Sequence, residues 1–319
     1  MIGAQPDEIY FTSGGSEADN WALMGVMRAA RPSKNHLITT KIEHHAVLRT
    51  CHALENEQFQ VTYAPVSQNG VVSSEEVDSS VTPETALISV MLANNEVGTL
   101  QPVTSIADAA HNSGCLMHTD AVQAVGHVPV DVDSLKVDLL SMSAHKFGGP
   151  KGIGALYIRK GTRIDRLIHG GDQEKGLRAG TENTAAIVGM AKAAEIAENE
   201  MQQSVTIKLE LRNLMIDRIQ NLLPSVIVNG LQAERLPGHV HLSIPGENPA
   251  LLLMQLDMRG IAASAGSACA SGAQERSHVL RAMGYPQSSH ADLRFTFGEG
   301  NTVSDVEMTI RALADILHK

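Results

Sequence analysis

The stretch Leu139-Leu140-Ser141-Met142-Ser143-Ala144-His145-Lys146-Phe147-Gly148-Gly149 joins an apolar run to a polar, glycine-rich segment. The run over 139–142 has the length and composition of a buried strand, so the residues from Ser143 onward follow its carboxyl end. Ligands of open α/β sheets bind outside the carboxyl ends of the strands. Lys146 is therefore a candidate site residue, with a solvated loop lysine as the alternative.

Asp120 follows a second apolar run, over 116–119, and precedes Lys146 by 26 residues. This spacing suits one crossover between neighbouring strands, which would bring an acid and a lysine to one cleft. A pyridoxal phosphate site needs this pair, because a lysine carries the cofactor and an acid pairs with its ring nitrogen. Asp120 could instead cap a helix after the strand, and taken alone that is the commoner role.

The turn Thr12-Ser13-Gly14-Gly15-Ser16-Glu17 lies between an apolar run over 9–12 and a helical pattern over 17–30. Small residues at a helix start leave backbone N–H groups open to an anion, so the turn is a candidate phosphate site. It matches neither the G-x-G-x-x-G pattern nor a Walker loop. An ordinary capped turn between strand and helix is the alternative.

Cys269 lies in Ser264-Ala265-Gly266-Ser267-Ala268-Cys269-Ala270-Ser271-Gly272, a run of small residues that is unsuited to a packed core. Its thiol is predicted to be exposed and mobile. Cys51 and Cys115, in apolar helix and strand contexts, are predicted to be buried and inert. Three widely spaced cysteines fit neither a disulfide framework nor a paired zinc site, which favours a reducing, cytoplasmic setting.

Arg294 alternates with apolar neighbours in Leu293-Arg294-Phe295-Thr296-Phe297, so it is predicted on the opposite strand face from them. A guanidinium can hold a carboxylate through two parallel hydrogen bonds, and a surface arginine on a sheet is the alternative. His44 and His45 follow another strand and, with Asn94-Asn95-Glu96, place further polar groups at strand ends. No histidine pattern of a metal site occurs, and no metal is predicted.

The composition limits the classes of partner. The 319 residues have a formal net charge of -10 with the charges scattered along the chain, which argues against a nucleic-acid surface. No apolar run is long enough for a membrane helix, and the first residues lack the order of a signal peptide. A small molecule or another protein is the expected partner.

The order of patterns predicts an α/β protein with a mostly parallel sheet in a large domain over 1–200 and a smaller α+β domain over 201–319. Strands are predicted over 9–12, 37–40, 61–63, 87–92, 116–119, 139–142, 154–158, 226–228, 239–244, 262–265 and 293–297. Helices are predicted over 17–30, 46–56, 105–112, a long run from about 182 to 223, 249–259 and 304–317.

Taken together, these residues resemble the cysteine desulfurases of the NifS/IscS type, in the class-V aminotransferase family of fold-type-I pyridoxal phosphate enzymes. The resemblance extends over nearly the whole chain, with the motifs in the family's order and approximate spacing. The motifs are 12–20, Glu43-His44, Asn94-Asn95-Glu96, Asp120-Ala121-Val122-Gln123, 143–154, Arg178-Ala179-Gly180-Thr181-Glu182-Asn183 and Gly266-Ser267-Ala268-Cys269.

The resemblance implies a role for each of these positions. Lys146 would carry the cofactor covalently, Asp120 would pair with the ring nitrogen, and Gln123 would bind the phenolic oxygen. His44 would stack on the ring. The residues implied to hold the phosphate are Gly15, Ser16, Ser143, His145 and, on the other subunit's phosphate, Thr181. Asn95 is implied at the cofactor and, with Arg294, at the substrate carboxylate.

The activity implied by the resemblance is conversion of L-cysteine to L-alanine, with the sulfur transferred to Cys269 as a persulfide. Lys146 and His44 would carry protons. Thr181 implies a homodimer with sites at its interface. The long small-residue segment around Cys269 implies delivery of sulfur to an iron–sulfur scaffold or a tRNA-thiolation protein.

The sequence departs from the family pattern at three places. Asp172 stands where the family usually has a third glycine, and Gly298-Glu299-Gly300 differs from the usual sequence after the arginine. The resemblance leads us to expect that the family's N-terminal segment is absent, since this sequence starts almost at the candidate phosphate turn. Two alternatives therefore stay open: an inactive or scaffold form of the same fold, and another pyridoxal phosphate enzyme such as a β-lyase, a selenocysteine lyase or an aminotransferase.

Overall fold

The computed structural model describes residues 1–265, 277–285 and 290–317. Within these ranges the chain forms two compact units. Unit 1 contains Met1–Val66, Val71–Asn94 and Gln101–Met201. Unit 2 contains Ser67–Gly70, Asn95–Leu100 and the described chain from Gln202 onward. Two short loops, 67–70 and 95–100, thus group with unit 2 although they precede residue 201 in the sequence.

Unit 1 is built on a seven-stranded sheet with the strand order β1-β7-β6-β5-β4-β2-β3. The pairs from β6 to β3 are parallel, whereas β7 runs antiparallel to both β6 and β1, so the predicted mostly parallel sheet is confirmed. The strands are β1 (Ile9–Thr12), β2 (His36–Thr40), β3 (Gln60–Ala64), β4 (Thr85–Ser89), β5 (Leu116–Asp120), β6 (Leu139–Ser143) and β7 (Gly154–Ile158).

The central strands are buried on both faces, which explains their nearly continuous apolar sequences. Every residue of β2, β4, β6 and β7 is buried. The helices that follow these strands are α1 (Gly15–Ala30), α2 (His45–Asn56), α3 (Ser74–Ser79), α4 (Val103–Asn112), α5 (Val132–Leu135) and the first part of α6 (Thr184–Leu222). Trp21 and Met27 of α1 pack with Leu87, Leu139 and Leu156 in the core.

The predicted strand over 87–92 is too long, because β4 ends at Ser89. The backbone N–H of Met91 donates to both carboxylate oxygens of Glu43 at 3.1 Å, so a side chain takes the bond that a strand neighbour would make. The chain beyond β4 therefore turns around a buried carboxyl group. This puts Asn94 against the backbone of Ile42, whose carbonyl accepts a 2.9 Å hydrogen bond from Nδ2.

Unit 2 is an antiparallel sheet in the order β10-β11-β9-β8, with helices on its apolar face. Alternate residues such as Val240 and Leu242 of β9 and Leu293 of β11 enter one core with Leu313. The elements are β8 (Ile227–Val228), β9 (His239–Pro245), α7 (Pro249–Asp257), β10 (Ser264–Ala265), α8 (His278–Ala282), β11 (His290–Thr296) and α9 (Val303–Leu317). None of the helices in the described ranges is long and apolar enough to cross a membrane.

Candidate active site

The glycine turn after β1 is shaped by close packing against the segments that follow β5 and β6. A Cβ on Gly15 would lie 2.5 Å from Cγ2 of Val122, and one on Gly14 would lie 3.7 Å from Oγ of Ser143. Gly14 is the N-cap of α1 and has no side chain that could cap the helix, so among the described residues the first N–H groups of α1 receive no N-cap side-chain bond. With exposed Ser16 beside them, these groups form a cradle of the kind that binds a phosphate.

Glu17 ties this turn to a distant segment of unit 1, a role that the sequence analysis missed. Its Oε2 accepts hydrogen bonds from the backbone N–H of Ser13 at 3.0 Å and from the Ser13 hydroxyl. Its Oε1 lies 2.9 Å from Nε of Arg178 in an ion pair. Burial alone would raise the pKa of Glu17, but the bonds from Arg178 and Ser13 lower it overall.

Asp120 and Lys146 are brought into electrostatic reach of each other. Asp120 is the last residue of β5, where it is paired with Ser141 of the adjacent parallel strand β6, and Lys146 follows β6. Asp120 is 5% exposed, and its Oδ1 accepts a 2.9 Å hydrogen bond from the backbone N–H of Val122. Burial raises the pKa of Asp120 to about 6, although that bond and the charge of Lys146 act in the opposite direction. The predicted acid and lysine therefore share one end of the sheet.

Lys146 sits in a single 3₁₀ turn, Ala144–Phe147, directly after β6. Its carbonyl oxygen accepts a 2.9 Å hydrogen bond from Nε2 of His127, which fixes the backbone at the lysine, and its side chain is half-buried. Ser143 is buried and His145 is exposed. Burial, followed by the charges of Lys146 and Lys151, lowers the pKa of His145.

His44 is the N-cap of α2, and its Nδ1 accepts a 3.2 Å hydrogen bond from the backbone N–H of Ala46. An accepting Nδ1 in a neutral imidazole puts the ring proton on Nε2, so the cap fixes both the ring and its tautomer. Gln123 is half-buried and follows Asp120 in the turn after β5. Thr181 lies in an exposed stretch over 180–185, and its predicted role toward a second subunit stays a prediction.

Arg294 and Asn95 meet within unit 2. Nη1 of Arg294 donates to the backbone carbonyl of Asn95 at 2.5 Å. Arg294 is in the middle of β11, paired with His241 of β9 and Ser264 of β10, and it is half-buried while its neighbours are in the core. The alternation predicted for this strand is therefore found. Cys269 lies outside the described residues.

Three further buried polar residues of unit 1 were missed by sequence reasoning: Asp19 of α1, Glu43 after β2 and His118 of β5. Burial raises the pKa of Glu43 to about 8 and lowers that of His118 to about 3. Asp19 and His118 are polar residues at positions where the helix and strand patterns call for apolar ones, whereas Glu43 lies in the loop between β2 and α2. That conflict was the available signal.

Cys51 and Cys115 are buried free thiols, and burial raises the pKa of both. This agrees with the prediction that they are inert, since the thiolate is the reactive form. Within residues 1–265, 277–285 and 290–317, no group of three or more histidine, cysteine or acidic residues could hold a metal ion.

Comparison with known proteins gives consistent matches over nearly the full chain. The family model for aminotransferase class-V matches residues 1–308. A cysteine desulfurase IscS from Clostridium botulinum is 49% identical over 319 residues, covering 99% of this chain and 80% of the relative. A solved NifS-like protein has a TM-score of 0.91 at 39% identity, over 99% of this chain and 84% of that one. A solved complex of SspA with cysteine has a TM-score of 0.80 at 37% identity, over 93% and 83% respectively.

Proposed function

Because this chain belongs to the aminotransferase class-V family, and within it to the cysteine desulfurases, we propose that it converts L-cysteine to L-alanine with pyridoxal phosphate as cofactor. The observation that carries the proposal is the position of Asp120 and Lys146 at the same end of adjacent parallel strands, within electrostatic reach of each other. An acid and a lysine at one cleft are what this cofactor requires. Dependence on pyridoxal phosphate is general in the family.

The phosphate of the cofactor fits the cradle at the start of α1. Gly15 cannot carry a side chain against Val122, so backbone amides rather than side chains line the turn there. Their N–H groups and the helix dipole favour an anion. We assign Gly15, Ser16, Ser143 and His145 to the phosphate on one subunit. Thr181 is assigned to the phosphate of the second subunit of a homodimer.

When bound, the cofactor supplies a protonated ring that accepts electron density from the substrate carbon. Asp120 would keep the proton on the ring nitrogen, since a carboxylate beside a cationic group favours its charged form. Gln123 would donate to the phenolic oxygen, Asn95 would contact the cofactor, and His44 would stack on the ring. The hydrogen bond from the Ala46 N–H to Nδ1 holds His44 in one orientation for this contact.

Two residues are positioned to move protons. Lys146 would hold the cofactor, and its amine would take the proton from the substrate Cα. His44 is the second proton carrier, acting through Nε2 because Nδ1 is occupied by the N–H of Ala46. The backbone of Lys146 is fixed through His127, so only the side chain needs to move between these tasks.

The substrate carboxylate is assigned to Arg294 and Asn95. A guanidinium that can form two parallel hydrogen bonds suits a carboxylate, and the bond to the Asn95 carbonyl limits the arginine's rotation. Cys269 receives the sulfur: its thiolate attacks the substrate sulfur, the Cβ–S bond breaks, and the electron pair of that bond leaves alanine after protonation. Cys269 is left as a persulfide for a protein acceptor, in an iron–sulfur or tRNA-thiolation pathway of the cytoplasm.

The experiment measures alanine and sulfide from L-cysteine with dithiothreitol, after reconstitution with pyridoxal phosphate. Equimolar products are expected from the unchanged protein and from Ser271→Ala, a control in the same small-residue segment. Cys269→Ala should bind the cofactor normally and release neither product above background. If Cys269→Ala kept full turnover of cysteine, persulfide transfer would be ruled out and another pyridoxal phosphate activity, such as that of a β-lyase or a selenocysteine lyase, would be favoured. Absence of cofactor binding by the unchanged protein would refute the proposal altogether.

A further inference from the structure

Unit 1 buries three carboxyl groups in one region: Asp19 of α1, Glu43 after β2 and Asp120 at the end of β5. Asp19 is 1% exposed, and Asp120 and Glu43 repel a negative charge on it. Removing a charge from water is costly unless the charge is paired, so three anions here would need several compensating groups. Asp19 has no role in the proposed reaction, and its protonation state is therefore set by its neighbours.

His118 does not supply a compensating positive charge. It is fully buried, with Nδ1 2.8 Å from the Ser89 hydroxyl and Nε2 3.0 Å from the Ser141 hydroxyl. Nε2 is 3.8 Å from Oδ1 of Asp19, too far for a hydrogen bond. Burial lowers the pKa of His118 to about 3, which leaves the imidazole neutral at physiological pH.

Asp19 and Asp120 differ in the contacts that could stabilise a negative charge. Oδ1 of Asp19 has no hydrogen-bond partner within the described part of the chain. The Asp19 carboxyl group is hydrogen-bonded to the neutral side chain of Ser141, and this bond lowers the pKa of Asp19. Asp120 accepts the backbone N–H of Val122 and faces the charge of Lys146. Burial, the repulsion from Asp120 and that from Glu43 raise the pKa of Asp19 well above its ordinary value.

Glu43, the third carboxyl, accepts bonds from the Thr40 hydroxyl at 2.6 Å and the Met91 N–H. Its burial outweighs these bonds. Among the described residues, Lys146 is a cation whose charge acts on Asp120. Asp120 thus has a cation that supports its negative charge, whereas burial favours the protonated form of Asp19 and, despite its hydrogen bonds, of Glu43.

We propose that Asp19 is a positioning residue that remains a neutral carboxylic acid, so that Asp120 carries the negative charge that faces the cofactor ring. The proposal rests on the proposed function for the role of Asp120. If Asp19 ionised, its repulsion would drive a proton onto Asp120, because two neighbouring buried carboxylates cannot both ionise cheaply. Asp120 would then lose its hold on the protonated ring nitrogen. Asp19 acts through Asp120 and does not touch the cofactor itself.

The first test is the pH midpoint of the visible absorbance change of the bound cofactor. Asp19→Asn replaces a neutral acid by a neutral amide of the same shape, so the midpoint should stay within about 0.3 pH units of the unchanged protein. Asp120→Asn is the matched control, since loss of its charge should lower the midpoint by about one unit or more. A comparable fall in Asp19→Asn would show that Asp19 is ionised and overturn the proposal.

A second test uses the unchanged sequence and does not depend on the variants folding. Infrared spectra of protein with isotope-labelled aspartate carboxyls should show the carbonyl band of a protonated aspartic acid at pH 8, with or without cofactor. If no such band is present, Asp19 is ionised and the proposal fails. Protein that shows the band but binds no pyridoxal phosphate would instead refute the proposed function, so the two failures are distinguishable.

Discussion

The two units present their candidate residues in contrasting ways. In unit 1, buried Asp120 ends β5, and half-buried Lys146 follows the adjacent parallel strand β6. In unit 2, Arg294 projects from the middle of an antiparallel strand, is half-buried, and is held by a backbone carbonyl. A buried group such as Asp120 acts from a fixed position in a low-dielectric setting, whereas half-buried Arg294 keeps access to water. The contrast predicts different kinetic losses in the two units.

The largest loss is expected at Lys146 in unit 1. Lys146→Ala should lower kcat for alanine formation by about 10³-fold or more, because covalent attachment and proton transfer are lost together. The visible absorbance of the bound cofactor should also resemble that of the free aldehyde. Lys151→Ala, an exposed lysine in the same segment, is the matched control and should retain activity. Equal losses in both variants would show that charge in this segment, not a specific amine, is required.

A smaller and kinetically different loss is expected at Arg294 in unit 2. Arg294→Met should raise KM for cysteine by about 10- to 100-fold, since a charged hydrogen-bonded contact contributes about 1.5–3 kcal/mol. The value of kcat should change much less, because this contact is made equally in ground and transition states. Arg259→Met, an exposed arginine of unit 2 bonded to the Gln255 carbonyl, should leave both constants unchanged.

An outcome in which Arg294→Met lowers kcat and leaves KM intact would break the comparison. Arg294 would then act in the chemical step, as Lys146 of unit 1 is proposed to do. Steady-state kinetics over a wide range of cysteine concentration separates the two cases.

The contrast between the units also governs what the sequence could predict. Parallel strands buried on both faces produce nearly continuous apolar runs, so β6 and β7 were predicted to within a residue. The end of β4 was predicted wrongly because a side chain from elsewhere, Glu43, bonds to the backbone of Met91. That is a tertiary contact, which a local pattern cannot contain. The short helix α8 escaped prediction because five residues give too little periodicity.

In the candidate site, too, features with a local sequence signal were predicted and features that depend on tertiary contacts were not. Asp120 and Lys146 were predicted because strand ends and spacing are local signals, and resemblance supplied the roles. Asp19 and His118 were not predicted, since their importance arises only from mutual burial. Glu17 was quoted as part of the turn, but its bond to Arg178 joins segments 161 residues apart. A motif contains only residues that are close in sequence, so it cannot show that two residues this far apart form an ion pair.

A third experiment asks whether packing alone shapes the phosphate turn of unit 1. Gly15→Ala would place a Cβ 2.5 Å from Cγ2 of Val122, a clash that is expected to cost about 1–3 kcal/mol and to weaken cofactor binding accordingly. The double variant Gly15→Ala with Val122→Ala should recover more than half of the lost affinity, measured by cofactor titration. Retention of the full deficit in the double variant would mean that the Gly15 backbone conformation, not the contact with Val122, is the cause.

The smallest expected effect tests whether charge contributes to the same turn. Glu17→Gln removes the ion pair with Arg178, and because both side chains are partly exposed the loss should be about 0.5–1 kcal/mol of unfolding free energy at pH 7. The folded pKa of Glu17 is lowered overall, so this stabilisation is present above the unfolded pKa and disappears as the pH falls through the folded one. The difference between the two proteins in urea unfolding should therefore shrink below about pH 4. Glu195→Gln, which breaks an exposed pair with Lys192, should show no measurable difference at either pH. A deficit for Glu17→Gln that persisted unchanged in acid would assign the effect to the hydrogen bonds with Ser13, which an amide accepts less well, and not to the charge.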